Sequence, residues 1–206
     1  MAFSHWLSLI SICLLGAMSP GPSLAVVLKS TLEGGHGRGY VSATAHGVGV
    51  ALYGLLTVTG LAVLITRSPT LFLGIQVLGA AYLIYLGIKS LRSKSHTDPQ
   101  SAISPTGRNA AVEGFLVAFL NPKLAVFMLA LFSQFLQPGF GVQEKGIMVA
   151  TVGITDACWY SLIVALVSRK SFLKKLQRNA QRIDRIFGVI LILLALTVLL
   201  RAFAQI

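Results

Sequence analysis

The sequence predicts an all-α integral membrane protein of six transmembrane helices, laid out as a 3+3 inverted repeat with proline-broken helices 1 and 4. Three observations predict it: an apolar composition, six apolar runs of spanning length, and two proline breaks one hundred residues apart. Of 206 residues, 55% are hydrophobic and only 11% charged, with a mean hydropathy of +0.79. A soluble domain carries roughly a quarter charged residues. No water-soluble fold of this length hides so much apolar surface, which excludes a soluble enzyme. The net charge of +11 would suggest nucleic acid in a soluble protein. In a membrane chain it marks loops on the cytoplasmic side, so the partner is the lipid bilayer and nucleic acid is set aside. Cys13 and Cys158 lie in apolar runs without metal-ligand spacing, and no disulfide framework follows.

A spanning helix needs about 20 mostly apolar residues. The runs fall at His5 to Leu28, Tyr40 to Thr66, Pro69 to Ile88, Ala110 to Leu136, Gly146 to Ser168 and Ile186 to Ala204. The first has no Lys or Arg before Lys29 and no small-residue cleavage pattern, so it reads as a retained helix rather than a signal peptide. Of the 17 basic residues, 13 fall in the loops after helices one, three and five. Excess Lys and Arg mark the cytoplasmic side, which places both termini outside. Residues 93–109 are polar and contain Pro99, Pro105 and Gly107. They read as a flexible cytoplasmic linker between residues 1–92 and 110–206, the two three-helix repeats of a single transmembrane domain. Between Ser171 and Phe187 apolar residues recur at helical spacing among basic ones. The stretch is either a short helix on the anionic inner leaflet or a solvated basic loop.

The halves echo each other weakly. Pro22 precedes Ser23 and Leu24-Ala25-Val26, and Pro122 precedes Lys123 and Leu124-Ala125-Val126. In the next helices Gly39, Ala43, Thr44, Tyr53 and Leu55 match Gly146, Ala150, Thr151, Tyr160 and Leu162, and Gly79 and Arg92 then match Gly188 and Arg201. Three helices per half is an odd number, so the second copy enters the membrane from the opposite side. Such inverted repeats are a plan of secondary transporters, with a site near the midplane opened to each side in turn.

Proline removes a backbone donor and clashes with the preceding turn, so Ser19-Pro20-Gly21-Pro22 interrupts helix one and Asn121-Pro122 interrupts helix four. Backbone groups freed in lipid are tolerated only beside protein or a water-filled cavity. Beyond each break a half-helix begins, and its unpaired N–H groups suit a carboxylate. A kink that serves packing alone is the plainer alternative. Near mid-membrane lie Lys123 and Asp156, and charges there are costly, at about 2.5 to 3.5 kcal/mol on insertion scales. They form a permanent structural ion pair, or Asp156 titrates with the transported proton or holds a substrate ammonium while Lys123 or the half-helix ends hold a carboxylate. His46 in helix two is either a packing residue or a proton relay. Glu33, just after helix one, is either solvated or part of an inner gate. The proton-coupling candidates are therefore Asp156, His46 and Glu33. The substrate-binding candidates are Ser19, Pro20, Gly21, Pro22, Ser23, Asn121, Pro122, Lys123 and Asp156. The small residues of helix two, among them Gly47 and Gly49, suit close helix packing.

Ser19-Pro20-Gly21-Pro22, the Gly37-to-Tyr40 start of helix two, Leu78 to Gly87 in helix three and Phe119-Leu120-Asn121-Pro122-Lys123 in helix four resemble the LysE/RhtB family of bacterial amino-acid exporters, over nearly the whole chain. Asp156 with Trp159 in helix five is also similar to that family. The resemblance implies efflux of an amino acid or close relative across the bacterial inner membrane, driven by the proton gradient, in a protein that is often a homodimer. By motif, it carries over the breaks at Pro20 to Pro22 and Asn121 to Lys123 together with Asp156. Members export basic, small neutral, hydroxylated, branched or sulfur amino acids, and some have another residue at the position of Ser23. The sequence does not choose among those substrates.

Other readings stand beside this one. A cation exporter needs a denser cluster of Asp, Glu or His than one intramembrane carboxylate. A membrane thiol oxidoreductase would pass electrons through Cys13 and Cys158, and a membrane hydrolase lacks a nucleophile and base constellation. Nothing in the sequence calls for a cofactor or a resident metal.

Overall fold

The structure is a computed structural model that describes residues 3–19, 21–92, 109–167 and 170–203, without the side chains of residues 69, 170–177 and 201–203. Every regular element among them is helical: α1 (Phe3–Met18), α2 (Pro22–Arg67), α3 (Pro69–Leu91), α4 (Ala110–Phe119), α5 (Pro122–Phe135), α6 (Val142–Leu166) and α7 (Lys170–Phe203). The linker read at 93–109 lies, apart from Asn109, outside the described residues. Four helical stretches are long and apolar enough to cross a membrane, and α4 with α5, bent by 56° at their junction, makes a fifth. The chain is a multi-pass membrane protein. The shorter apolar helix α1 stands before the first break.

The sequence explains the breaks. Proline with its fixed φ suits the first turn of a helix, and Pro22 and Pro122 open α2 and α5. Between α1 and α2 the backbone is extended at Gly21. Between α4 and α5 it is extended at Asn121, whose side chain accepts from the backbone N–H of Lys123 at 3.0 Å and of Leu124 at 3.3 Å. Asn109 caps α4 through Ala111, and the Glu144 carboxylate accepts from Gly141 N–H at the start of α6.

Two expectations change. The loop read between the first two spans is helical on both sides of Gly35, which alone departs from helix at φ 75° and ψ 178°. That conformation is essentially reserved for glycine. The chain folds back there, bringing Gly39 against Thr31 and Ala43 into one buried cluster with Val27 and Tyr160. Gly35→Ala is expected to cost about 1–3 kcal/mol, read as a lower midpoint of thermal unfolding in detergent. The stretch from Ser171 to Phe187 is neither a separate surface helix nor a loop. It is the first half of the continuous α7, and Ala180, Asp184 and Phe187 are buried on one face of it. Those residues face protein because α7 packs along α3.

Packing is organised by helix pairs: α2 lies against α6 and α4, α3 against α7 and α5, and α1 against α6. Two crossings pair glycine with glycine. At the α2–α6 crossing, a Cβ on Gly47 would sit 2.7 Å from the Ala157 Cβ, and one on Gly153 would sit 2.7 Å from the Ala51 Cβ. Each glycine also faces the other's carbonyl oxygen. At the α3–α7 crossing, Gly87 and Gly188 face each other's carbonyl oxygens in the same reciprocal way. Small residues at such points let helix backbones approach in lipid, where close packing replaces the hydrophobic effect.

Candidate functional site

The two breaks converge on one partly open cavity of about 110 Å³. Ser19, Gly21, Pro22 and Ser23 line it from the first break, and Asn121 and Lys123 from the second. His46 of α2 and Asp156 and Tyr160 of α6 supply its polar wall. The rest is apolar, including Val50, Leu86, Leu124, Phe127, Met128, Val152 and Phe187. Pro20 lies outside the described residues. Pro122 starts α5 without lining the cavity, and Glu33 is exposed beside the Gly35 bend, away from it. Of the proton-coupling candidates, the cavity therefore gathers His46 and Asp156 and leaves Glu33 aside.

His46 and Asp156 form a pair. Nδ1 lies 2.6 Å from Asp156 Oδ2, with His46 2% and Asp156 9% exposed. The close approach of α2 and α6 at Gly47 and Gly153 sets this distance, since both residues flank the crossing. A carboxylate fixes the proton of a neutral imidazole on the nitrogen facing it, which makes His46 Nε2 an acceptor. That nitrogen is buried and has no partner among the described residues. The Tyr160 ring meets the imidazole edge-on, with centroids 5.0 Å apart. The Tyr160 hydroxyl donates to the Ala17 carbonyl oxygen at 3.4 Å, and Ser23 lines the same cavity. Asp156 and Lys123 are not an ion pair: Asp156 is taken by His46, and the charged neighbours of Lys123 are Asp184 and Lys89.

The two half-helix N-termini differ. At α5 the Asn121 side chain already takes the N–H groups of Lys123 and Leu124. At α2 the cap is Gly21, and among the described residues no side chain caps the N–H groups of Ser23 and Leu24. Among the described residues, no group of three or more His, Cys, Asp or Glu is placed to hold a metal ion. Cys13 and Cys158 are free thiols, the first buried on the cavity wall and the second exposed.

Sequence reasoning missed Tyr160 as a wall residue, and it missed Asp184. The signal for Asp184 was present: it shares a helical face with Ala180, Phe187 and Leu191, all apolar and all buried.

A multi-pass helical protein whose two broken helices line one largely apolar cavity, with an ionisable pair at its wall, has the build of a membrane transporter. Comparison with known proteins gives the family. The model of the LysE type translocator family matches residues 14–202, and the chain belongs to that family. It is 30% identical over 200 residues to the uncharacterized membrane protein YrhP of Bacillus subtilis, covering 90% of this chain and 94% of that protein. It is also 30% identical over 166 residues to the leucine efflux protein of Salmonella typhimurium, covering 78% of this chain and 77% of that protein. No solved structure matches it.

Proposed function

We propose that this chain exports a neutral amino acid with an apolar side chain across the bacterial cytoplasmic (inner) membrane, in exchange for protons. The observation that carries this reading is the His46–Asp156 pair with its unpartnered Nε2 on the wall of a cavity between two helix breaks. With His46 neutral, the pair carries one negative charge and suits a substrate ammonium. A proton taken up at Nε2 cancels that charge. Proton and ammonium then exclude each other, which is sufficient for exchange. The substrate carboxylate is held by the bare N-terminus of α2, the Ser23 hydroxyl and the Lys123 ammonium, since an N-terminus and a cation both favour negative charge. Phe127, Met128, Leu124 and Val152 offer the side chain an apolar berth. The leucine efflux relative points the same way.

On this reading α1 with the first part of α2 is one broken span and α4 with α5 another, which completes six. Residues 1–92 and 110–206 are then the two halves of an inverted repeat, with both termini outside. The reciprocal glycine crossings of α2 with α6 and of α3 with α7 are what two elements related by a pseudo-two-fold axis would make, each presenting the same patch to the other. Rocking about that axis would open the cavity to one face and then the other. The reading is that of a transporter, not an enzyme.

Inverted membrane vesicles carrying the protein are expected to accumulate labelled leucine or a similar apolar amino acid when a proton gradient is imposed, and not when it is collapsed. Lysine, offered in the same panel, is expected to be excluded. Folded protein that accumulates no amino acid under a gradient would overturn the reading.

A further inference from the structure

Asp184 has no role in the function proposed so far. It is 6% exposed on α7, and the Ser19 hydroxyl at the first break donates to its Oδ1 at 2.8 Å. Its backbone carbonyl accepts from the Ser90 hydroxyl of α3 at 2.7 Å. Among the described residues no cation lies within salt-bridge distance of it, although Lys123 is its charged neighbour across the second break. A carboxylate can accept about four hydrogen bonds, and a buried one that is left short of partners is costly. A fixed structural role would favour a full set of partners. An incomplete set suits a contact that is made and broken.

Its position says what the contact closes. α3 and α7 run antiparallel, since Ser90 meets Asp184 while Gly87 meets Gly188. Ser90 is at the end of α3 from which the 93–109 linker leaves. One turn further from that end, Phe187 lines the cavity, with its ring 6.1 Å from Phe127 and against Gly16 of α1. From the linker face inward Asp184 therefore comes first, outside the cavity lining, and Ser19, Phe187 and Phe127 follow as cavity-wall residues.

We propose that the Ser19–Asp184 contact is a latch that closes the cavity on its linker face, with the Phe127–Phe187 pair as the apolar part of the wall next to it. Opening toward that face parts Ser19 from Asp184 and leaves the carboxylate to the Lys123 ammonium. The proposal rests on the transport reading for its purpose, but its geometry is read separately through Cys13, a built-in reporter on the cavity wall.

The test uses the full chain carrying Cys158→Ser, which leaves Cys13 as the remaining thiol. The protein is placed in sealed vesicles of either orientation, with the linker face assigned by cleavage at a protease site inserted in 93–109. A small charged methanethiosulfonate is added outside. Asp184→Ala and Ser19→Ala are each expected to raise the Cys13 labelling rate about tenfold from the linker face and less than twofold from the other. Asp184→Asn keeps an oxygen for the Ser19 hydroxyl and is expected to raise it less than Asp184→Ala. Rates within twofold of the parent for both alanine variants, or raised equally from both faces as a misfolded protein would give, overturn the latch. Leucine counterflow in the same vesicles separates the two readings. Counterflow with flat labelling overturns the latch alone, whereas one-sided labelling without counterflow supports the latch and overturns the exporter.

Discussion

Asp156→Asn is expected to abolish gradient-driven accumulation of amino acid while leaving the protein folded. Asn has nearly the shape of Asp, and its side-chain oxygen still accepts from His46 Nδ1, so the 2.6 Å contact is kept in weaker form. What goes is the charge. A hydrogen bond to a charged group contributes about 1.5–3 kcal/mol, and at 1.4 kcal/mol per decade the substrate ammonium is held roughly ten- to a hundredfold less tightly. The proton loses its counter-charge as well, since an imidazolium at His46 would be buried against a neutral amide in place of a carboxylate. Uptake of labelled leucine by inverted vesicles, with and without a proton gradient, should therefore fall to the level of vesicles lacking the protein. The unfolding midpoint in detergent should stay close to that of the parent. Vesicles carrying the Asp156→Asn variant that still accumulate leucine against its gradient would remove Asp156 from the coupling.

Gly153→Val should have the larger effect on the fold. A Cβ at this position lies 2.7 Å from the Ala51 Cβ and 3.0 Å from the Gly47 carbonyl oxygen. Neither is the far end of a flexible side chain, so α2 and α6 must part. Overpacking of this kind costs about 1–3 kcal/mol and occasionally more, and the upper end applies because backbone has to move. The His46–Asp156 contact beside the crossing lengthens with it, and transport fails along with stability. Yield of monodisperse protein and its unfolding midpoint measure the effect. Gly60→Ala is the control: nothing lies within 4 Å of the added atom, and alanine is favoured over glycine in a helix by about 1 kcal/mol, so this variant should be as stable as the parent. A fully stable Gly153→Val protein would mean that the crossing is looser than described.

The breaks were legible in the sequence because proline acts locally. Pro22 and Pro122 open α2 and α5 for reasons that hold in any surroundings. The spans were legible because composition alone sets them, and α3 and α6 run within a few residues of the expected bounds. The fold-back at Gly35 was less so. Lys29, Glu33 and Arg38 read as a polar loop, whereas the chain keeps helical hydrogen bonding on both sides of a single glycine. The family motifs gathered the cavity lining at both helix breaks, but not the apolar wall or the pairing inside it. Asp156 and His46 are 110 residues apart, and nothing in their spacing tells that the α2–α6 crossing brings them into contact. The alternative partner, Lys123, was nearer in kind to what a buried carboxylate needs. Asp184 was legible in part: it shares a helical face with apolar Ala180, Phe187 and Leu191, but the run around it is rich in Lys and Arg, and the packing of that face on α3 is what sets it apart from its charged neighbours.

The capping difference at the two breaks has a mechanical consequence. Asn121 satisfies the start of α5 from within, whereas the start of α2 ends in a glycine that offers no side chain. A substrate carboxylate completes the second but would have to displace a protein group to complete the first. On the proposed reading the two halves therefore grip the cargo in unlike ways: the amino-terminal half takes its carboxylate as a missing piece of its own backbone network, whereas the carboxy-terminal half reaches it only through the side chains of Lys123 and Asp156.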